Sequence, residues 1–203
     1  MLRLGILISG RGSNFVAIAD AIAAGRLDAE IAVVLSNRAD AGGIASARER
    51  GMKAVVVASK GTTREEHEAQ LARVLAENRV ELVVLAGYMR LLGTKLIEEY
   101  AGRIVNIHPS LLPAFPGLNA QGQALAYGVK VTGCTVHFVT AGLDEGPIIL
   151  QKAVAVREGD TEETLSARIL EQEHVAYTEA LQLVAEGRVR VDGRRVIIEW
   201  PCT

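Results

Sequence analysis

The chain has 203 residues, enough for one large domain with its own core. Apolar residues make up 49% and charged residues 23%, with a net charge of −2, which excludes a disordered chain and a basic nucleic-acid surface. Cys134 and Cys202 lack CxxC spacing, so no disulfide framework or zinc site is indicated, and the absence of a membrane-length apolar run or secretory leader points to the cytoplasm.

Leu2–Ile8 is a short apolar run that reads as a strand. It leads through Ser9–Asn14 into a helical pattern with Phe15, Ile18, Ala19 and Ile22 on one face. Ile31–Leu35 is a second strand, Gly42–Glu49 a helix and Lys53–Val57 a third strand. Thr62 and Thr63, followed by Glu65 and Glu66, carry overlapping capping boxes for a helix reaching Asn78. Val80–Ala86 is a strand, Thr94–Tyr100 a short helix and Ile104–His108 a fifth strand. A proline-rich loop covers Pro109–Gly117, and a helix over Ala120–Tyr127 ends at the C-cap Gly128. Val131–Val139 and Ile148–Val156 are strands, Glu162–Ala185 is a long helix, and Arg188–Glu199 closes as β structure. The alternation predicts an α/β fold: a Rossmann-like, mostly parallel twisted sheet with helices on both faces. The late strands have fewer intervening helices, so some are expected to be antiparallel.

The loop Gly10–Asn14 turns backbone N–H groups and a helix start toward an anion. Phe15 stands where a dinucleotide fingerprint needs glycine, and Ser36–Asn37–Arg38 replaces the acidic ribose ligand. Two readings fit the loop alone: a lone phosphate held by Gly12, Ser13 and Asn14, or a tight turn with Ser13 as N-cap. Further on, strand alternation puts Ile104, Asn106 and His108 on one face, at the carboxyl end where open sheets bind ligands. With Asp144 in the turn Leu143–Pro147, an amide, an imidazole and a carboxylate suit stabilisation of an oxyanion. Taken singly, His108 also fits a hydrogen-bonded core group. Glu173 interrupts the apolar helical face Leu165, Ile169, Ala176, Ala180 and Val184. A ligand amine or hydroxyl would partner it, and so would an arginine in a structural ion pair.

The stretches NIHPSLLPAFPG (Asn106 to Gly117), LAGYMRLL (Leu85 to Leu92) and HFVTAGLDEGPI (His137 to Ile148) resemble the folate-dependent formyltransferases. SGRGSN and EQEH (Glu171 to His174) make the chain most similar to the branch that formylates glycinamide ribonucleotide in purine biosynthesis. The resemblance covers nearly the whole chain, in order. It implies one domain over residues 1–203, with a phosphate-binding half (1–100) and a catalytic, folate-binding half (101–203). It implies 10-formyltetrahydrofolate as donor and co-substrate, no metal, no nucleic-acid or membrane partner, and a monomer or homodimer. It assigns catalysis to Asn106, His108 and Asp144, phosphate binding to Gly12, Ser13 and Asn14, and acceptor binding to Glu173. Folate contacts fall on Arg64, Met89, Arg90, Leu91, Leu92, Asn106, Thr140, Ala141, Gly142, Leu143 and Asp144. The resemblance further implies direct attack of the amine on the formyl carbon, with Asp144 holding a protonated His108. Within this resemblance Asn119 stands where several members have His and others Asn, Gly122 replaces a larger side chain, and Leu170 replaces a polar one beside the acceptor site. The alternatives are a formyltetrahydrofolate hydrolase, or a binding module without catalysis.

Overall fold

The computed structural model describes residues 1–199, so Cys202 lies outside the described residues. Two compact units divide between Val105 and Asn106, inside a strand. Among the described residues no helix is long and apolar enough to cross a membrane.

The first unit is built on β1 (Leu2–Ile8), whose Leu4, Ile6, Leu7 and Ile8 are fully buried. Burial on both faces explains the unbroken apolar run. Then come α1 (Ser13–Ala23), β2 (Ala29–Ser36), α2 (Gly42–Glu49) and β3 (Ala54–Val56). Next are α3 (Arg64–Glu77), β4 (Leu82–Leu85), α4 (Thr94–Glu99) and the start of β5 (Ile104–His108). β1 pairs in parallel with β2 on one side and β4 on the other, and β3 extends β2 in parallel. The helices α1 and α2 between these strands supply the crossovers that parallel pairing requires. α1 buries Phe15 and Ile18, each contributing about 1.5–3 kcal/mol of apolar burial. α3 starts at a complete capping box between Thr63 and Glu66, a device worth about 1 kcal/mol.

The second unit takes β5 from Asn106 onward, then α5 (Ala120–Tyr127), β6 (Val131–Phe138), β7 (Ile148–Ala155) and α6 (Glu162–Ala185). It ends in the hairpin β8 (Val189–Asp192) and β9 (Arg195–Ile198). β6 and β7 are antiparallel, as expected where a loop without a helix joins two strands. Hydrogen-bonded neighbours run β3-β2-β1-β4-β5 through the first unit and β5-β6-β7 through the second, giving one sheet of seven strands. α6 turns Leu165, Ile169, Glu173, Ala176, Ala180 and Leu181 inward, while Val184 is only half-buried and Leu183 is buried instead.

Candidate active site

β5 ends with Asn106 half-buried and His108 buried. The loop behind them is held by two neighbouring strands. Thr135 Oγ1 on β6 accepts from Leu112 N–H at 3.0 Å and donates to the Ser110 carbonyl at 2.6 Å. Gln151 on β7 donates to the Leu112 carbonyl at 2.9 Å. The loop then turns back so that the Phe115 carbonyl accepts from His108 Nε2 at 2.8 Å. Phe115 has a φ of 54°, and its ring packs edge-on to Tyr127 of α5 with centroids 5.9 Å apart.

Asp144 closes the group from the β6–β7 turn. Its Oδ2 accepts from Gly117 N–H at 2.8 Å and stands 3.4 Å from His108 Nδ1. Its φ of 53° is a left-handed conformation that Asp tolerates better than most residues. Arg194, in the β8–β9 turn, donates to the adjacent Glu145 carbonyl at 3.2 Å and braces the same turn. The two ring nitrogens of His108 thus face oxygen atoms on opposite sides, the Phe115 carbonyl and the Asp144 carboxylate.

His137 completes the cluster, and sequence reasoning assigned it no role. The β6–β7 register shifts between Val136 and His137, a bulge of the kind that re-aims a side chain beside a site. His137 Nδ1 lies 2.9 Å from the Phe138 carbonyl, which only accepts, so Nδ1 carries the proton. Burial pushes the His137 pKa down and keeps the ring neutral. Its Nε2 is then an acceptor, 3.3 Å from Asn106 Nδ2, and it orients the Asn106 amide. A histidine inside a strand buried from Thr132 to Phe138 was the available signal.

In the first unit, Gly12 is the N-cap of α1 with a φ of 74°, and no side chain caps the helix. Ser13 is therefore the first helical residue and not the N-cap. Asn14 is buried, and Gly10 accepts from Gly43 N–H at 3.1 Å. The segment after β4 leaves Met89 and Leu91 exposed, Arg90 half-buried and Leu92 buried. Arg64, exposed at the start of α3, donates to the Leu91 carbonyl at 3.1 Å. In the second unit, Thr140, Ala141 and Leu143 are exposed, and Gly142 is half-buried. Glu173 is buried on α6. Burial first, and the Glu173 charge second, push the Cys134 thiol up to about 12, so Cys134 is an inert core residue. Among the described residues, no three His, Cys, Asp or Glu side chains gather as a metal-holding group.

Residues 2–181 match the formyl transferase family. The phosphoribosylglycinamide formyltransferase of Escherichia coli (strain K12) is 42% identical over 199 residues, covering 94% of each chain. The chain belongs to the phosphoribosylglycinamide formyltransferase branch of the formyl transferase family. Glycinamide ribonucleotide transformylase 1 from Symbiobacterium toebii is 56% identical in its crystal structure, with a TM-score of 0.96 over 98% of this chain and 94% of that one. The trifunctional purine biosynthetic protein adenosine-3 of Drosophila pseudoobscura pseudoobscura is 47% identical over 191 residues, and this chain spans 14% of its length. The formyl transferase match ends inside α6, so β8 and β9 lie beyond it.

Asn119 and Gly122 are coupled at the start of α5. Asn119 is the N-cap of α5; its Oδ1 accepts from Gly122 N–H at 3.2 Å and its Nδ2 donates to Glu162 at 3.3 Å. A Cβ at residue 122 would collide with both Asn119 and Glu162. Gly122 thus makes room for a tie between the starts of α5 and α6. Leu170 is half-buried on α6.

Proposed function

We propose that this protein transfers the formyl group of 10-formyltetrahydrofolate to the primary amine of glycinamide ribonucleotide, in the cytoplasm, as a step of purine biosynthesis. The observation that carries the reading is the group Asn106, His108 and Asp144, gathered at the end of β5 in a chain alike over nearly its full length to the E. coli enzyme.

The neutral amine attacks the formyl carbon, and the carbonyl π electrons move onto oxygen. Asn106 and the His108 imidazolium stabilise that oxyanion. His108 meets it through Nε2, whose acceptor in the structure is the neutral Phe115 carbonyl. An anion outcompetes a neutral carbonyl for the same N–H. Asp144 balances the charge on the ring from the Nδ1 side. Collapse of the tetrahedral species re-forms the carbonyl and expels N10 of the folate. The attacking nitrogen loses a proton and N10 gains one, through water near Asp144.

In this reading Gly12, Ser13 and Asn14 take the substrate phosphate at the start of α1, and Glu173 takes a polar group of the acceptor. Arg64, the segment Met89–Leu92, Asn106 and the turn Thr140–Asp144 take the folate. The test is to follow the donor with and without glycinamide ribonucleotide. Acceptor-dependent loss of 10-formyltetrahydrofolate is the expected result. Equal loss without acceptor would make the protein a hydrolase, and no loss a binding module.

A further inference from the structure

Residues 86–93, between β4 and α4, form neither helix nor strand, yet their backbone is tied at several points. Ser9 Oγ accepts from Met89 N–H at 2.9 Å. The Tyr88 hydroxyl is 2.8 Å from His67 Nε2. At the far end Glu68 Oε1 accepts from Gly93 N–H at 2.5 Å and from Arg64 Nε at 3.1 Å. Arg64 in turn donates to the Leu91 carbonyl at 3.1 Å. One carboxylate thereby fixes two backbone points of the segment, one directly and one through a guanidinium.

Glu68 is built for this. Its side chain is 10% exposed, against 51% for Arg64. A carboxylate so buried is unfavourable unless donors surround it, and charge-assisted bonds are the strong ones. Gly93 has φ −82° and ψ 164°, open to any residue, so its backbone conformation does not require glycine. What requires it is space: a Cβ there would collide with the Glu68 carboxylate. Outside this anchor, Met89 and Leu91 are 75% and 68% exposed. The segment keeps its backbone fixed from within and turns apolar side chains outward.

We propose that Glu68 is a positioning residue for the formyl donor, acting through Gly93 and the Arg64–Leu91 contact to hold Met89–Leu92 in its binding conformation. The proposal rests on the reading of that segment as donor-binding. Pre-fixed backbone groups spare a ligand the ordering of the loop, so loosening them weakens binding without touching the reacting atoms.

The test compares Glu68→Ala, Glu68→Gln, Gly93→Ala and the double variant Glu68→Ala/Gly93→Ala. Loss of a buried charge-assisted anchor should raise the donor KM about tenfold in Glu68→Ala and leave the acceptor KM within about twofold. Glu68→Gln keeps an oxygen for Gly93 N–H but loses the charge, so its donor KM should be intermediate. Gly93→Ala disturbs the direct tie and leaves Arg64, so its donor KM should rise less than in Glu68→Ala, and the double variant should be no worse than Glu68→Ala, which already removes both ties. In ligand-free protein, amides 88–93 should exchange faster in Glu68→Ala, and in the wild type tetrahydrofolate should slow them. A folded Glu68→Gln and Glu68→Ala with wild-type donor KM would overturn the positioning role, even if exchange quickened. Equal rises in both KM values with a lower Tm would reduce Glu68 to a structural residue. If tetrahydrofolate leaves wild-type exchange at 88–93 unchanged, the donor placement itself fails, and this role with it.

Discussion

Asp144 is held on two sides, by Gly117 N–H and by His108, so replacing its charge while keeping its shape isolates its chemistry. Asp144→Asn retains an oxygen for Gly117 but removes the anion facing the ring. Turnover should fall roughly 10²–10⁴-fold, with KM for both substrates little changed. Steady-state kinetics check this, and a variant within a few-fold of wild type would remove Asp144 from the mechanism. Asn106, His108 and Asp144 were legible because strand parity and a turn carboxylate are written in side chains. His137 was not given a role, although it fixes the Asn106 amide. Its part depends on a bulge and on the Phe138 carbonyl, and neither has a residue type that announces it.

At the start of α1 the decisive residue is Gly12. It needs a φ of 74°, and a Cβ there would lie 3.1 Å from Gly43 Cα. Gly12→Val should disturb the loop and raise the acceptor KM while the donor KM holds. Titration of each substrate separately checks this, and equal weakening of both would make the loop only structural. Helices were the more legible elements: α2, α5 and α6 have the bounds their capping and periodicity indicate. β3 and β4 are shorter than their apolar runs. Val80 and Ala86 are both buried but lie outside β4. Val80 N–H closes the end of α3 on the Leu75 carbonyl, so hydrophobicity at Val80 marks packing and not pairing, whereas Ala86 N–H still donates to the Leu7 carbonyl of β1. The division between the units was hidden for a similar reason. β5 runs through it as one continuous strand, with no linker composition to mark it.

For the whole molecule, three of the four histidines set the response to acid. Burial pushes His67, His137 and His174 below their ordinary value of 6.5. Each binds a proton more readily in the unfolded chain. Stability is therefore complete above the unfolded value and falls as pH drops through 6.5 toward the depressed folded values, where the loss levels off. Asp160 acts in a lower window. Hydrogen bonds from Arg168 hold it well below the usual carboxylate range, so its contribution is complete above the ordinary value of 3.8 and is lost as the pH falls from there toward the depressed folded value. Unfolding followed from neutral to mildly acidic pH should thus show falling Tm before any carboxylate titrates. His67→Gln should make that fall shallower, and an unchanged slope would count against buried neutral histidines as its source.

His108 owes the proton on Nε2 to the main-chain oxygen of Phe115. That oxygen belongs to the peptide unit and is present whatever side chain residue 115 carries. A scan of the loop by single substitutions would leave the acceptor in place and report the residue as unimportant to the imidazole. The control sits in the main chain, beneath the level at which the genetic code writes.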